Sequence, residues 1–272
     1  MDISDLALRA IVDYVSRRGG ADLSGYRESY LKRRIEYRMK SAGVDSVENY
    51  LKLLRTSDEE IKNLLDAITI NVTEFMRDKT PFESFRKNVL KEIVERKKRS
   101  GSNIIRIWSA GCSYGEEPYS IAICVMEELN EDWRVTIYAT DVDENCLNFA
   151  KNGVYEEKSI LNLDPKIVEK YFEKINGKFK VKPILQKCVK FRKHDLIKDP
   201  PISRHFDVIF CRNVIIYFND KQKDKVFADF YDSLTSEGYL IIGKSETIPE
   251  KFKSHFDCIN LRDKIYKKVS GR

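Results

Sequence analysis

The chain has 272 residues, 42% hydrophobic and 34% charged, with a net charge of +6 of which +4 falls in the first hundred residues. At about 150 residues per domain this is one large or two modest globular domains. No apolar run approaches the roughly 18–20 residues of a spanning helix, and the acidic start Met1-Asp2-Ile3-Ser4-Asp5 is unlike a secretory leader, so no membrane insertion and a cytoplasmic location are expected.

From the N-terminus to about residue 100, apolar residues recur at helical spacing, as at Ile61, Leu64, Leu65 and Ile68, and predict an all-α region. Residues 27–40 carry Arg27, Lys32, Arg33, Arg34, Arg38 and Lys40 against only Glu28 and Glu36, a patch for nucleic acid or an acidic protein surface. Arg27, Arg34 and Arg38 fall within roughly 40° of one another on a helical wheel, beside Leu31, Ile35 and Met39. A merely solvated basic face fits that stripe equally well. In the last helix of the region, Thr80-Pro81-Phe82-Glu83 reads as an N-cap threonine, a first-turn proline and a capping-box glutamate. Phe82, Phe85, Val89 and Ile93 form its apolar face, and Lys97-Lys98-Arg99-Ser100-Gly101 ends it.

Beyond Gly101 short apolar strands alternate with helices: a strand at 104–108, a helix at about 116–130, a strand at 135–139 and a helix at about 143–151. A strand at 206–211, a helix at about 220–235, a strand at 239–243 and a closing antiparallel hairpin at 255–268 continue the order. This predicts a Rossmann-like parallel sheet. Residues 153–193 break the rhythm and read as a small inserted subdomain whose last strand, near 188–193, rejoins the sheet. The six cysteines never take C-x-x-C spacing and the three histidines make no ligand pattern with them, so neither a metal site nor a disulfide framework is expected.

Three strand ends carry polar groups where this architecture binds ligands. After the first comes Gly111-Cys112-Ser113-Tyr114-Gly115-Glu116-Glu117, a glycine turn opening a helix. It has two glycines rather than three, and two carboxylates where a diphosphate would need positive surroundings, so a ligand with a cationic end fits better than phosphate. S-adenosylmethionine has such an end in its ammonium. Glu116 and Glu117 also suit an ordinary first helical turn. The second strand ends at Asp141, able to accept both hydroxyls of a ribose, and Asp143 reads as a helix cap. Cys211-Arg212-Asn213-Val214-Ile215-Ile216-Tyr217-Phe218 follows the strand at 206–211; Asn213 is suited to bond a cofactor or substrate edge, and Tyr217 offers a hydroxyl on an aromatic platform. Burial of Tyr217 and Phe218 as core aromatics is the competing reading.

The runs Asn71-Val72-Thr73-Glu74-Phe75-Met76-Arg77, Ala110-Gly111-Cys112-Ser113-Tyr114-Gly115-Glu116-Glu117-Pro118-Tyr119-Ser120-Ile121-Ala122, Ala139-Thr140-Asp141 and Phe210 to Phe218 together resemble the chemotaxis receptor methyltransferase family (CheR type), in the family's order over nearly the whole chain. The resemblance implies an all-α N-terminal recognition domain (1–75), a linking helix (76–98), and an α/β, Rossmann-like class I S-adenosylmethionine-dependent methyltransferase domain (99–272) with an inserted β-subdomain at about 153–193. It implies methyl esterification of glutamate side chains on chemoreceptor cytoplasmic helices, yielding S-adenosylhomocysteine. Asn71, Thr73, Arg77, Gly111, Glu116, Asp141, Asp195, Leu196, Arg212 and Asn213 would line the cofactor. Arg77 and Tyr217 would stand near the transferring methyl, and Arg27, Arg34 and Arg38 would meet the receptor.

Three positions depart from the family pattern. Met76 replaces a second phenylalanine, Asp195 replaces an asparagine, and the loop Glu173–Phe179 is short beside members that dock on a receptor tether, so tether-independent recognition is expected. A carboxylate nucleophile is ionised at neutral pH, so no general base is needed and positioning dominates. The rival readings are a nucleic-acid methyltransferase and a non-catalytic S-adenosylmethionine sensor. Asp199-Pro200-Pro201 suggests the first of these, but it precedes rather than follows the strand at 206–211, and Ile202 replaces the aromatic that would stack on a base. No nucleic-acid partner and a monomeric state are expected.

Overall fold

The computed structural model describes residues 3–19, 22–69 and 73–269. By contacts the chain forms two units: residues 1–71 with 217–225, and residues 72–216 with 226–272.

In the first unit, α1 (Asp5–Gly19), α2 (Glu28–Ser41), α3 (Val47–Thr56) and α4 (Asp58–Ile68) turn their apolar stripes to a common core that includes Ile11, Val15, Ile35, Tyr50 and Leu64. Ser46 and Ser57 cap α3 and α4, accepting from the Asn49 and Glu60 amides. The excursion 217–225 joins this core. The Arg27 amide donates to Tyr217 O (2.9 Å), the Asn219 amide donates to Gly25 O (2.8 Å), and Tyr26 pairs with Phe218.

The second unit begins with α5 (Thr80–Ser84), a π-helical stretch Phe85–Leu90 and α6 (Lys91–Arg99), which run on as one helix. Phe82, Phe85, Val89 and Ile93 are all buried, as their spacing predicts. The cap is not the predicted one. Lys79 holds the N-cap position at φ +37°, and the Thr80 hydroxyl instead donates to Oδ1 of Asp263 (2.6 Å), whose Oδ2 accepts from the Ser84 hydroxyl. The basic C-terminal turn has a buried counterpart, because Arg96 and Lys97 both reach Asp207, whose Oδ2 also accepts the Arg106 amide.

Then follow β1 (Ile104–Ala110), α7 (Glu116–Glu128), β2 (Arg134–Asp141), α8 (Glu144–Asn152), β3 (Val154–Tyr155), α9 (Pro165–Tyr171), β4 (Phe172–Ile175), β5 (Lys178–Val181), α10 (Pro183–Gln186), β6 (Val189–Lys193), β7 (Phe206–Cys211), α11 (Asp220–Ser233), β8 (Leu234–Ile242), β9 (Phe256–Asn260) and β10 (Ile265–Lys268). The main sheet has the order β6-β2-β1-β7-β8-β10-β9. Its first five strands are parallel, and the predicted closing hairpin β9–β10 adds antiparallel to β8. A parallel sheet is covered on both faces, which accounts for the wholly buried β7. The chain leaves β1 toward β2 on one side and returns as β7 on the other, so the crevice beyond the strand ends opens at β1.

The inserted subdomain is the antiparallel sheet β3-β5-β4, and β6 rejoins the main sheet beside β2 as predicted. Strand β4, absent from the periodicity reading, pairs with β5 across Asn176-Gly177. Both turn residues have positive φ (49° and 78°), the two-residue hairpin geometry that Asn-Gly favours. The short Glu173–Phe179 loop is therefore the tip of a hairpin. Among the described residues no helix is long and apolar enough to cross a membrane.

Candidate active site

The predicted cofactor residues of the second unit gather at the C-terminal ends of four adjacent strands. Gly111 and Glu116 follow β1, Asp141 ends β2, Asp195 and Leu196 follow β6, and Arg212 and Asn213 follow β7. Asn71 lies outside the described residues. Thr73 and Arg77, both half-buried, lie on the segment before α5, which is tied to this edge at two points. Its Met76 amide donates to Ser120 Oγ (2.9 Å) on α7, and Arg77 O accepts from Arg212 Nη2 (2.9 Å).

The glycine turn is sharp and closely packed. The Gly111 and Cys112 amides both donate to Thr140 O, which binds the turn to β2. Gly111 has φ +77°, and a Cβ there would lie 2.5 Å from Val214 Cγ2; Gly115 has φ +93°, and its Cβ would meet the Ala150 Cβ at 2.7 Å. Only glycine tolerates both the conformation and the approach.

Glu116 stands at the start of α7 with 3% of its surface exposed, and its Oε2 is buried with no hydrogen-bond partner. Burial pushes its carboxyl up to about 7. A buried acceptor without a donor carries a cost that a bound cationic donor would remove. Glu117, its neighbour, is engaged: Oε1 accepts from Ser109 Oγ (2.8 Å) and Oε2 lies 3.6 Å from Arg212 Nη1, although burial still raises its carboxyl. The two adjacent glutamates therefore differ in kind.

Asp141 is buried, and burial pushes it up to about 6. Its oxygens accept from the Ser113 (2.8 Å) and Asp143 (3.0 Å) amides, and the Val142 amide also bonds to it, which ties the carboxylate to the glycine turn and leaves one lone pair open. Asp143 caps α8 as predicted, accepting from the Asn145 and Cys146 amides.

Two predicted residues have local structural partners. Asp195 Oδ1 accepts from the Ile197 and Lys198 amides, closing the turn after β6, and its own amide donates to Asp199 Oδ2. Asp199-Pro200-Pro201 completes that turn, with Pro200 O 2.9 Å from His194 Nε2. Arg212, buried over the Phe82 ring, donates to Arg77 O and to Asp78 Oδ2 (2.7 Å), so it fixes the turn bearing Arg77. Met76, Asp78, Lys79, Ser113 and Asn213 all have positive φ, a concentration of strained backbone around one strand edge. A cavity of about 220 Å³ lined by Met76, Phe82, Ile123, Leu163 and Ile167 includes none of the predicted cofactor residues.

Sequence reasoning missed Glu246. Its carboxylate accepts from the amides of Gly243 (2.6 Å), Asn213 (3.1 Å), Val214 (3.0 Å), Ile215 (2.8 Å) and Ile216 (3.3 Å). No motif marks it, because every partner is backbone.

In the helical unit the basic stripe resolves into three situations. Arg38 is committed, with Nε and Nη2 on the two oxygens of Glu60 (3.1 and 2.7 Å), which also accepts the Tyr50 hydroxyl. Arg27 is exposed and donates from Nε to Phe218 O (3.2 Å). Arg34 lies over the Tyr30 ring at 5.3 Å. Tyr217 packs on the same ring at 4.8 Å, half-buried within this unit. The aromatic-packing alternative therefore holds for its ring.

Family models match both parts of the chain. Residues 6–69 match the family model described as CheR methyltransferase, all-alpha domain, and residues 71–265 match CheR methyltransferase, SAM binding domain. A chemotaxis protein methyltransferase of Borreliella burgdorferi is 36% identical over 91% of this chain and 90% of its own length. One from Listeria innocua is 34% identical over 86% of this chain and 87% of its own. Among solved structures, an S-adenosylmethionine-dependent methyltransferase from Mesorhizobium loti aligns with 51% of this chain and 45% of its own, with TM-score 0.32 and 15% identity.

Proposed function

Since the chain belongs to the CheR methyltransferase family and its cofactor is S-adenosylmethionine, we propose that it methylates glutamate side-chain carboxylates on chemoreceptor cytoplasmic helices, acting as a cytoplasmic monomer. The observation that carries the reading is the pairing of both family domains, in order, with a strand edge that presents Glu116 and Asp141 as buried carboxylates over a glycine turn. The unpartnered Glu116 Oε2 fits the ammonium of the cofactor, and the remaining lone pair of Asp141 fits a ribose hydroxyl.

When bound, the cofactor supplies a sulfonium-activated methyl group. The chain supplies position. Glu116 and Asp141 fix the two ends of the cofactor's polar frame, and Thr73, Gly111, Asp195, Leu196 and Asn213 line it, with Asn71 added from the resemblance. Arg212 holds the backbone at Arg77 and Asp78, so the Arg77 side chain leaves a fixed base from which to orient the incoming carboxylate. Arg77 and Tyr217 act near the transferring methyl. The substrate carboxylate needs no deprotonation at neutral pH, and burial raises the Cys112 and Cys211 thiols at this strand edge well above their ordinary value, so neither serves as a base. The gain from alignment alone reaches about 7–11 kcal/mol at its upper limit.

Arg27 and Arg34 offer the charge that meets an acidic receptor surface, while Arg38 serves the helix packing. A nucleic-acid substrate is not favoured, because Asp199-Pro200-Pro201 is used in the turn after β6. The test is incubation with methyl-labelled S-adenosylmethionine and a chemoreceptor cytoplasmic fragment. Protein-bound label released as methanol by mild base is expected. Stable label, or none on any receptor fragment, overturns the substrate assignment.

A further inference from the structure

Five amides converge on Glu246, more donors than a carboxylate's four lone pairs, and the residue is 3% exposed. Three of the donors, at Val214, Ile215 and Ile216, share Oε1; they belong to the start of the 3₁₀ turn Ile215–Tyr217, whose first amides have no partner within the turn. The other two, at Gly243 and Asn213, share Oε2 and join the end of β8 to the turn after β7. The niche is closed around the carboxylate. A Cβ on Gly243 would lie 2.7 Å from Glu246 Oε2 and 2.8 Å from the Asn213 amide nitrogen. Asn213 itself is held at φ +61°, the left-handed conformation that asparagine tolerates better than most side chains.

The turn so held is also a wall of the glycine turn. Val214 occupies the space that any side chain on Gly111 would need, so a shift of residues 213–216 changes the floor after β1 as well as the Asn213 side chain after β7. Among the described residues these five amides converge on the Glu246 carboxylate.

We propose that Glu246 is a positioning residue for the methyl-transfer reaction: its carboxylate acts as a cap supplied from 30 residues away that sets the Asn213–Ile216 turn, and through Val214 the glycine turn, in the geometry that binds cofactor. The inference rests on the reading that Asn213 lines the cofactor.

The test compares Glu246→Gln, Glu246→Asp, Asn213→Ala and Ile93→Val, the last a core truncation in α6 remote from the strand edge. An amide at 246 keeps one acceptor and turns N–H groups toward two of the donors. Glu246→Gln is expected to weaken S-adenosylhomocysteine at least tenfold by calorimetry. Amide exchange should quicken at 213–216 and 243 while β7 and β8 stay protected. Glu246→Asp, which keeps the charge, should recover part of the affinity. Ile93→Val should lower the melting temperature with affinity unchanged.

Wild-type affinity in Glu246→Gln, or exchange at 213–216 no faster than in Ile93→Val, overturns the inference. If Asn213→Ala binds as tightly as wild type, the reading of Asn213 fails instead. In that case the local exchange pattern in Glu246→Gln still decides whether the carboxylate sets the turn.

Discussion

One glutamate follows the turn after β1 and another holds the turn after β7; both are 3% exposed, and the two are opposites. Glu246 is surrounded by backbone donors and Glu116 has a buried oxygen with none. Burial raises both carboxyls, but at Glu246 the amides of Gly243, Asn213, Ile216 and Ile215 oppose the shift. Equal burial thus serves two ends. A satisfied carboxylate fixes the backbone around it, whereas an unsatisfied one is a vacancy in the hydrogen-bond accounting that a cationic ligand can fill. Glu60 in the helical unit is a third case. Burial raises its carboxyl, yet hydrogen bonds from Arg38 and Tyr50 outweigh that and hold it below the usual range.

The comparison can be broken in order of expected effect. Asp141→Ala removes the ribose acceptor and should weaken S-adenosylhomocysteine about a hundredfold, on the order of 1.5–3 kcal/mol per hydrogen bond to a charged group, with circular dichroism unchanged. Unaltered affinity by calorimetry would remove the ribose assignment.

Arg38→Ala leaves Glu60 buried with only the Tyr50 hydroxyl, and should destabilise the helical unit by about 2 kcal/mol in urea titration. Because the folded Glu60 is held low, its contribution is present above about pH 4.5 and lost as pH falls further, so the deficit of the variant should shrink in acid. Arg34→Ala should instead impair transfer to receptor, with a stability loss under about 1 kcal/mol. Equal destabilisation by both substitutions would erase the distinction between them. The smallest effect is expected from Tyr217→Phe, which keeps the packing on Tyr30 and removes the hydroxyl. Turnover should fall with no change in cofactor affinity, and unchanged turnover would leave Tyr217 a packing residue alone.

The strand-end residues were legible because strand and helix periodicities place them without reference to distant contacts: Gly111, Asp141 and Asn213 each follow an apolar run. What escaped depends on partners far along the chain. The Thr80 hydroxyl reads as a cap until Asp263, 183 residues away, is there to accept it. A helical wheel puts Arg38 with Arg27 and Arg34, but cannot show Glu60 on another helix. Glu246 has no side-chain partner at all among its recorded hydrogen bonds, so no pairing of residue types points to it. The π-helical stretch Phe85–Leu90 keeps the same apolar residues buried and so leaves the pattern unaltered.

The most direct test of the ligand-reserved carboxylate is S-adenosylhomocysteine affinity measured by calorimetry from pH 8 to pH 6, in wild type and in Glu116→Gln. With its carboxyl raised to about 7, Glu116 is ionised at the upper end and mostly neutral at the lower. Wild-type affinity should therefore fall about tenfold over that range as attraction to the ammonium is lost. Glu116→Gln should start about tenfold weaker at pH 8 and vary little. A flat wild-type profile, or a variant that keeps both the affinity and the slope, would contradict the account.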